Sequence, residues 1–200
     1  MSKKKYAQAK PFFESAYKEN PKNFETIDKL GEVAFYTQNW DEAIKYGKKM
    51  VTAFPKNADY WFKYGGALGM KAKNCNKFKA LGMIGDVKEA FETSAKLDAK
   101  HINTRWALVM LYTELPGIIG GSEEKAQKYA NQLMNISKVD GYLSKGYIDV
   151  YFKRYAQAEA HYKKAHEIGH SKTTYEKLYD LYWNKMKNKA KAEDLKNDFY

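Results

Sequence analysis

The chain has 200 residues, of which 44% are hydrophobic and 16% aromatic, so it holds enough apolar surface for a continuous core. Lysine and arginine outnumber aspartate and glutamate by 35 to 24, which gives a formal net charge of +11. Arg105 and Arg154 are the only arginines, and arginine is the residue that binds phosphates and guanine bases through paired hydrogen bonds. This composition argues against nucleic acid as a partner, and Cys75, the only cysteine, excludes an intrachain disulfide.

The hydropathy of the chain predicts no membrane span, because no apolar run approaches the roughly 18 residues that a bilayer requires. The N-terminus also lacks the apolar segment of a signal peptide. We therefore expect a cytoplasmic location for the chain as written, and a periplasmic or exported one if a signal sequence preceded it. The oligomeric state is left open by the sequence.

The first part of the chain repeats itself with a period of 34 residues. The residue pairs that show this period are Ala9 and Ala43, Pro21 and Pro55, Ile27 and Trp61, and Gly31 and Gly65. This period, with small residues at fixed positions, is typical of repeated helix-turn-helix units. A single unit cannot bury its apolar face alone, so the units are expected to stack on one another.

The pattern resembles the tetratricopeptide repeat (TPR) family, in which Leu, Gly, Ala and Pro recur at set positions of each repeat. Leu30, Gly31, Ala43 and Pro55 occupy those positions here. A fragment before them matches the second half of a repeat through Tyr6, Ala9, Phe13, Ala16 and Pro21. The resemblance implies an all-α fold, a right-handed superhelical solenoid of about five antiparallel helix hairpins.

The repeats predict a single domain over residues 1–200. Its approximate units are a half repeat at 6–21, full units at 24–55, 58–99, 102–138 and 141–170, and terminal capping helices at 173–200. The third unit carries about ten extra residues within 71–83 and no proline there. We expect them to extend the first helix of that unit rather than to form an extra short helix, with a second helix over 86–97.

A glycine-rich loop lies between the two helices of the fourth unit. It contains Pro116-Gly117 and Gly120-Gly121, and Ser122 is a predicted N-cap of the next helix. Together with the preceding insertion, this loop is similar to a bacterial subgroup of the family that includes periplasmic components associated with tripartite solute transporters. The resemblance implies an alternative function, a periplasmic accessory component that handles a ligand for a transport system.

His166, Glu167 and His170 match the H-E-x-x-H signature of zinc proteases, in which both histidines bind one metal from the same helix face. Thr173 and Glu176 stand where an extended zinc motif of the metzincin type requires glycine and histidine. Gly169 is a predicted helix end, so His170 is expected to lie outside the helix. A zinc-dependent hydrolase is therefore a remote alternative, and we predict no metal and no cofactor.

Two further patterns are weaker as catalytic candidates. Cys75 and His101 are a conceivable nucleophile pair, but a lone cysteine in a helical insertion is more often structural. The loop of Gly117 to Gly121 lacks the Lys-Ser/Thr sequence and the preceding strand of a phosphate-binding loop. We predict that the protein is not an enzyme.

The TPR resemblance implies that the first helix of each unit lines a concave surface. Transferred residue by residue, it selects the candidate partner-binding residues Asp28, Glu32, Phe35, Phe62, Trp106, Met110, Tyr142 and Phe152. The aromatic members are also candidates for the core, since packed helices bury aromatic rings. The predicted function is a non-enzymatic scaffold that binds a peptide or partner segment in its concave groove, centred on Phe62 and Trp106. Acidic residues in this groove, Asp28, Glu32 and Asp59, are expected to repel an acidic peptide.

Overall fold

The structure is a computed structural model that describes residues 3–199, and every regular element among them is helical. The α-helices are α1 (Lys3–Glu19), α2 (Phe24–Tyr36), α3 (Trp40–Ala53), α4 (Ala58–Lys73), α5 (Lys77–Leu97), α6 (Ile102–Glu114), α7 (Glu123–Ile136), α8 (Lys138–Tyr151), α9 (Tyr155–Gly169), α10 (Lys172–Asp180) and α11 (Lys189–Phe199). A 3-10 turn spans Gly117–Ile119, and a π-helical segment spans Leu181–Lys185. The all-α prediction is confirmed.

The chain divides into two compact units, Met1–Thr104 and Arg105–Tyr200. In unit 1, each of the helices α1 to α5 packs against the next one in sequence. In unit 2, the same holds from α7 to α11. Contact between sequence neighbours is the arrangement expected of stacked helical repeats. The single domain and its repeat boundaries stay a prediction.

Asparagine residues define the helix starts of unit 1. The side chains of Asn23, Asn39, Asn57 and Asn76 each accept a hydrogen bond from the backbone N–H three residues ahead. Such a cap satisfies one of the N–H groups that a helix leaves without an internal partner. In unit 2, Ser122 caps α7 in the same way and confirms the predicted N-cap.

The insertion within 71–83 mainly lengthens a second helix. α4 has 16 residues against 13 in α2, whereas α5 has 21 residues against 14 in α3. The preferred interpretation, an extension of the first helix, is therefore wrong for most of the insertion. The reason is the cap at Asn76, which starts α5 at Lys77 rather than near Asp86.

Glycines allow neighbouring helices to approach closely in both units. A Cβ atom at Gly65 of α4 would lie 2.9 Å from Cδ1 of Phe91 in α5. In unit 2, a Cβ at Gly141 would lie 2.5 Å from the Cα of Met134. At Gly31, by contrast, the nearest atom would be Cβ of Tyr46 at 3.4 Å, an ordinary contact. The same repeat position is therefore tightly packed at Gly65 but has an ordinary contact at Gly31.

Candidate functional site

A cavity of about 460 Å³ opens in unit 1 between α2 and α4, and we call it the α2–α4 groove. Ala43, Gly47 and Met50 of α3 form its floor. Four of the predicted partner-binding residues line it: Asp28, Glu32, Phe35 and Phe62. Lining residues that the sequence argument did not select include Tyr6, Tyr36, Tyr60 and Lys63. The structure thus brings half of the predicted site together in one place.

An ion-pair cluster stands at the centre of the groove. The Nζ atom of Lys63 lies 2.7 and 2.9 Å from the two carboxylate oxygens of Asp28, and 2.9 Å from Oε1 of Glu32. Lys29 donates to the other oxygen of Glu32 at 3.1 Å. Asp28 and Glu32 share a face of α2 because they are four residues apart, and Lys63 reaches them from α4.

The pKa values of Glu32 and Lys63 favour their charged forms. Burial alone would raise the pKa of Glu32, but the hydrogen bonds from Lys63 and Lys29 outweigh it and lower that pKa. Burial alone would lower the pKa of Lys63, but its hydrogen bonds to Asp28 and Glu32 leave it raised. Both groups are therefore ionised over the neutral pH range.

Aromatic rings line both ends of the groove. At one end the rings of Tyr6 and Tyr36 stack with centroids 4.2 Å apart. At the other end the ring of Phe62 lies 5.2 Å from that of His101. Phe62 is half-buried, so part of its ring faces the groove.

The groove has free space beside its aromatic walls. A Cβ atom added at Gly66 would meet only Cε2 of Phe35, at 3.8 Å, and nothing closer. Phe35 is itself held by edge-to-face contact with Trp40, whose ring centroid lies 5.4 Å away. Aromatic side chains that a partner can cover in a pocket are common among binding hot spots.

The candidates of unit 2 fall into two groups. Trp106 and Tyr142 pack against the core cluster around Leu143 and Tyr162, and the indole N–H of Trp106 donates to Oδ1 of Asp140 at 2.8 Å. This agrees with the alternative interpretation that these rings belong to the core.

The other two candidates of unit 2 are exposed, Met110 to 37% and Phe152 to 40%. Phe152 follows α8 as its C-cap residue, and the guanidinium of Arg154 lies 5.1 Å from its ring centre.

The second histidine of the H-E-x-x-H motif lies beyond the helix end, although its ring centroid is 6.0 Å from that of His166. α9 ends at Gly169, and His170 adopts a left-handed backbone conformation with φ of 39°, as predicted for a residue outside the helix. The Nδ1 atom of His166 is 3.0 Å from the hydroxyl of Thr174. Burial lowers the pKa of His166, and the nearby His170 adds to this. Across residues 3–199, no group of three or more potential metal ligands comes together.

His101 and Cys75, the conceivable nucleophile pair, form hydrogen bonds with different residues and not with each other. His101 accepts a hydrogen bond from the backbone N–H of Thr104 through Nδ1, at 3.1 Å, and its Nε2 lies 2.9 Å from Asp59. Nδ1 is thus the acceptor, and Nε2 carries the proton toward Asp59. The thiol of Cys75 contacts the carbonyl oxygen of Ala72 at 3.5 Å. These contacts are those of polar groups that hold loops and helix ends in place.

Comparison with family models and with curated protein sequences finds no match. Among solved structures, a thermophilic TPR protein of Thermus thermophilus matches with a TM-score of 0.71 and 17% identity, over 88% of this chain and 90% of that one. A TPR protein of Parabacteroides merdae matches with a TM-score of 0.67 and 15% identity, over 95% of this chain and 70% of that one. The TPR protein YrrB, described as having an unusual peptide-binding site, matches with a TM-score of 0.57 and 14% identity, over 86% of this chain and 81% of that one.

These likenesses establish the fold as that of the tetratricopeptide repeat. The narrower resemblance to a bacterial subgroup, and the periplasmic accessory role that it implies, stay predictions. None of the helices in the described part of the chain is both long and apolar enough to cross a membrane.

Proposed function

We propose that this chain, whose fold is that of the TPR proteins, is a non-enzymatic interaction scaffold that holds a peptide or partner segment in the α2–α4 groove. The observation that carries the proposal is the convergence of Asp28, Glu32, Phe35 and Phe62 on one cavity of unit 1. The repeat positions of these four residues independently predict that they share one surface.

The size and lining of the groove support this function. A volume of about 460 Å³ falls within the usual range of ligand cavities, about 300–1,000 Å³, and suits a few side chains of an extended segment. The aromatic rings supply apolar contact, and the paired charges supply orientation. A peptide-binding site is also named for YrrB, which shares the fold.

The chemistry of the groove suits binding better than catalysis. Asp28 and Glu32 are paired with Lys63, and the lowered pKa of Glu32 keeps that group ionised at neutral pH. A general acid or base works best with a pKa near the working pH. Fixed charges of this kind instead orient a bound partner.

In unit 2 we propose Met110 and Phe152 as partner contacts, because both are exposed. Trp106 and Tyr142 have a lesser part in this proposal, since both rings pack against the core of that unit. We therefore centre the partner site on Phe62 rather than on Phe62 and Trp106 together.

The proposal is tested by selecting ligands from a random peptide library on the wild-type protein and titrating the enriched peptides by calorimetry. Gly66→Trp would fill the groove, and we expect it to weaken binding at least tenfold. Gly82→Trp, a matched control on α5 where an added Cβ meets nothing within 4 Å, should leave binding unchanged. Phe62→Ala removes an aromatic anchor worth about 2 kcal/mol, so affinity should fall roughly thirtyfold.

Melting curves of all three variants are required, so that lost binding is not confused with lost folding. If Gly66→Trp is folded and binds the selected peptides as well as Gly82→Trp does, the groove is not the partner site.

A further inference from the structure

The centre of the α2–α4 groove already holds a cation, the ammonium group of Lys63. Its Nζ atom is bound by both oxygens of Asp28 and by Glu32, and it lies 5.8 Å from the ring centre of Tyr60. We infer that Lys63 is an internal stand-in for a partner's cation, and that the groove selects a peptide segment whose lysine or arginine replaces it. This inference rests on the proposed function of the groove.

The hydrogen-bonding capacity of the cluster favours a cationic partner. An ammonium group has three donors, and Lys63 uses three contacts on Asp28 and Glu32. A partner's carboxylate would therefore compete with Asp28 and Glu32 for these donors. Each carboxylate can accept about four hydrogen bonds, so Asp28 and Glu32 still have capacity for a donor.

The charge of the groove points the same way. Among its lining residues, Asp28, Glu32 and Asp59 are acidic and Lys63 is basic, and Lys29 adds a second positive charge beside Glu32. The groove thus carries net negative charge within a chain whose formal net charge is +11. Complementary charge favours the matching partner and repels the wrong one, so an acidic segment is disfavoured here.

Lys63 is also more exposed than the two carboxylates that it binds. Its side chain is 37% exposed, whereas the side chains of Asp28 and Glu32 are 19% and 27% exposed. A lysine has a flexible four-carbon stem, so its ammonium can leave the carboxylates without moving the backbone. The carboxylates would then be presented, with Tyr60 beside them, to a cation of the partner.

Three matched peptides test this inference, each with the sequence Gly-Ser-Phe-Xaa-Phe-Ser-Gly and with Lys, Gln or Glu at the central position. Binding is measured by NMR titration at low salt. We expect the Lys peptide to bind wild-type protein on the order of tenfold tighter than the Gln peptide, with the Glu peptide weakest.

Variants then locate the effect. Lys63→Met removes the ammonium group that pairs with Asp28 and Glu32. This variant should therefore bind the Lys peptide several-fold more tightly than wild type does. Lys128→Met removes the same charge from an exposed position on α7 and should leave that affinity unchanged within twofold. Asp28→Asn should abolish the preference for Lys over Gln. A thermal melt of each variant confirms that it is folded.

Two results would overturn the inference. If Lys63→Met weakens the Lys peptide, or if wild-type protein prefers the Glu peptide, Lys63 is a receptor for carboxylates and not a stand-in. If the three peptides bind equally, or if none binds, the cluster does not select a cation. The proposed function is judged separately, because the library selection and Gly66→Trp make no assumption about peptide charge.

Discussion

Gly146 of α8 lies so close to the ring of Tyr162 in α9 that a Cβ atom at position 146 would be 2.3 Å from Cε1 of that ring. Tyr162 is only 4% exposed and belongs to the core cluster of unit 2. The ring therefore cannot swing into solvent to make room. Unit 1 has the corresponding close contact at Gly65 and Phe91, where the distance would be 2.9 Å.

Gly146→Ala is expected to destabilise the protein by about 1–3 kcal/mol, because the added methyl group overpacks the contact with Tyr162. Gly85→Ala is the matched control, since a Cβ at that position in α5 meets nothing within 4 Å. Alanine favours a helix over glycine by up to about 1 kcal/mol, so this control should be neutral or stabilising. Urea denaturation of both variants measures the two effects, and equal changes would contradict the packing described here.

The ion pairs of Glu32 should make part of the stability depend on pH. Hydrogen bonds from Lys63 and Lys29 overcome the effect of burial and lower the pKa of Glu32 below its ordinary 4.5. The associated stabilisation is present above the unfolded-state pKa and is lost as the pH falls through the lower folded-state pKa. The melting temperature of Glu32→Gln should therefore lie below that of wild type at about pH 6, and the gap should narrow as the pH falls below 4.5.

Glu19→Gln is a suitable control for this pH series, because Glu19 is exposed at the end of α1 and lies outside the ion-pair cluster. A gap for Glu32→Gln that does not change between these pH values would show that its ion pairs do not contribute to stability.

Trp106→Ala is expected to lower the free energy of unfolding by on the order of 2 kcal/mol, because the ring packs against the core of unit 2. Met110→Ala should cost less, since the Met110 side chain is largely outside that core and is 37% exposed. Thermal denaturation compares the two variants. If Trp106→Ala is as stable as wild type, the ring does not belong to the core, and Trp106 stays a candidate partner-binding residue.

We expect purified protein to contain no stoichiometric zinc, because His170 lies outside α9 and His166 contacts Thr174. Elemental analysis measures the metal content, and a melting curve with and without a chelator measures its effect on stability. His170→Ala should behave like wild type in both assays. One zinc ion per chain that is lost in His170→Ala would establish a metal site after all.

Much of the fold could be predicted from particular residues. The period linking Gly31 to Gly65 predicted stacked helix pairs. Gly169 predicted the end of α9, because glycine is common at helix ends. The length of α5 was not foreseen, because residues 71–83 contain no proline and nothing periodic marks where a new helix starts. The side-chain cap of Asn76 decides that boundary.

The candidate site was predicted only in part. Asp28, Glu32, Phe35 and Phe62 were identified because repeat position determines which face of a helix a side chain occupies. Lys63 was missed, although a lysine one repeat after Asp28 and Glu32 is a readable signal of an ion pair between neighbouring units. Tyr6 and Tyr36 were missed because their stacking depends on how α1 and α2 meet.

The sequence by itself determined the helical repeats, since local periodicity and capping residues act over one or two turns of the chain. Only the tertiary structure decided that Lys63 pairs with two carboxylates from another helix, and that Trp106 donates its indole N–H to Asp140. Such pairings join residues more than 30 positions apart. They depend on the distance and angle between packed helices, which glycines such as Gly146 set by how closely they let two backbones approach.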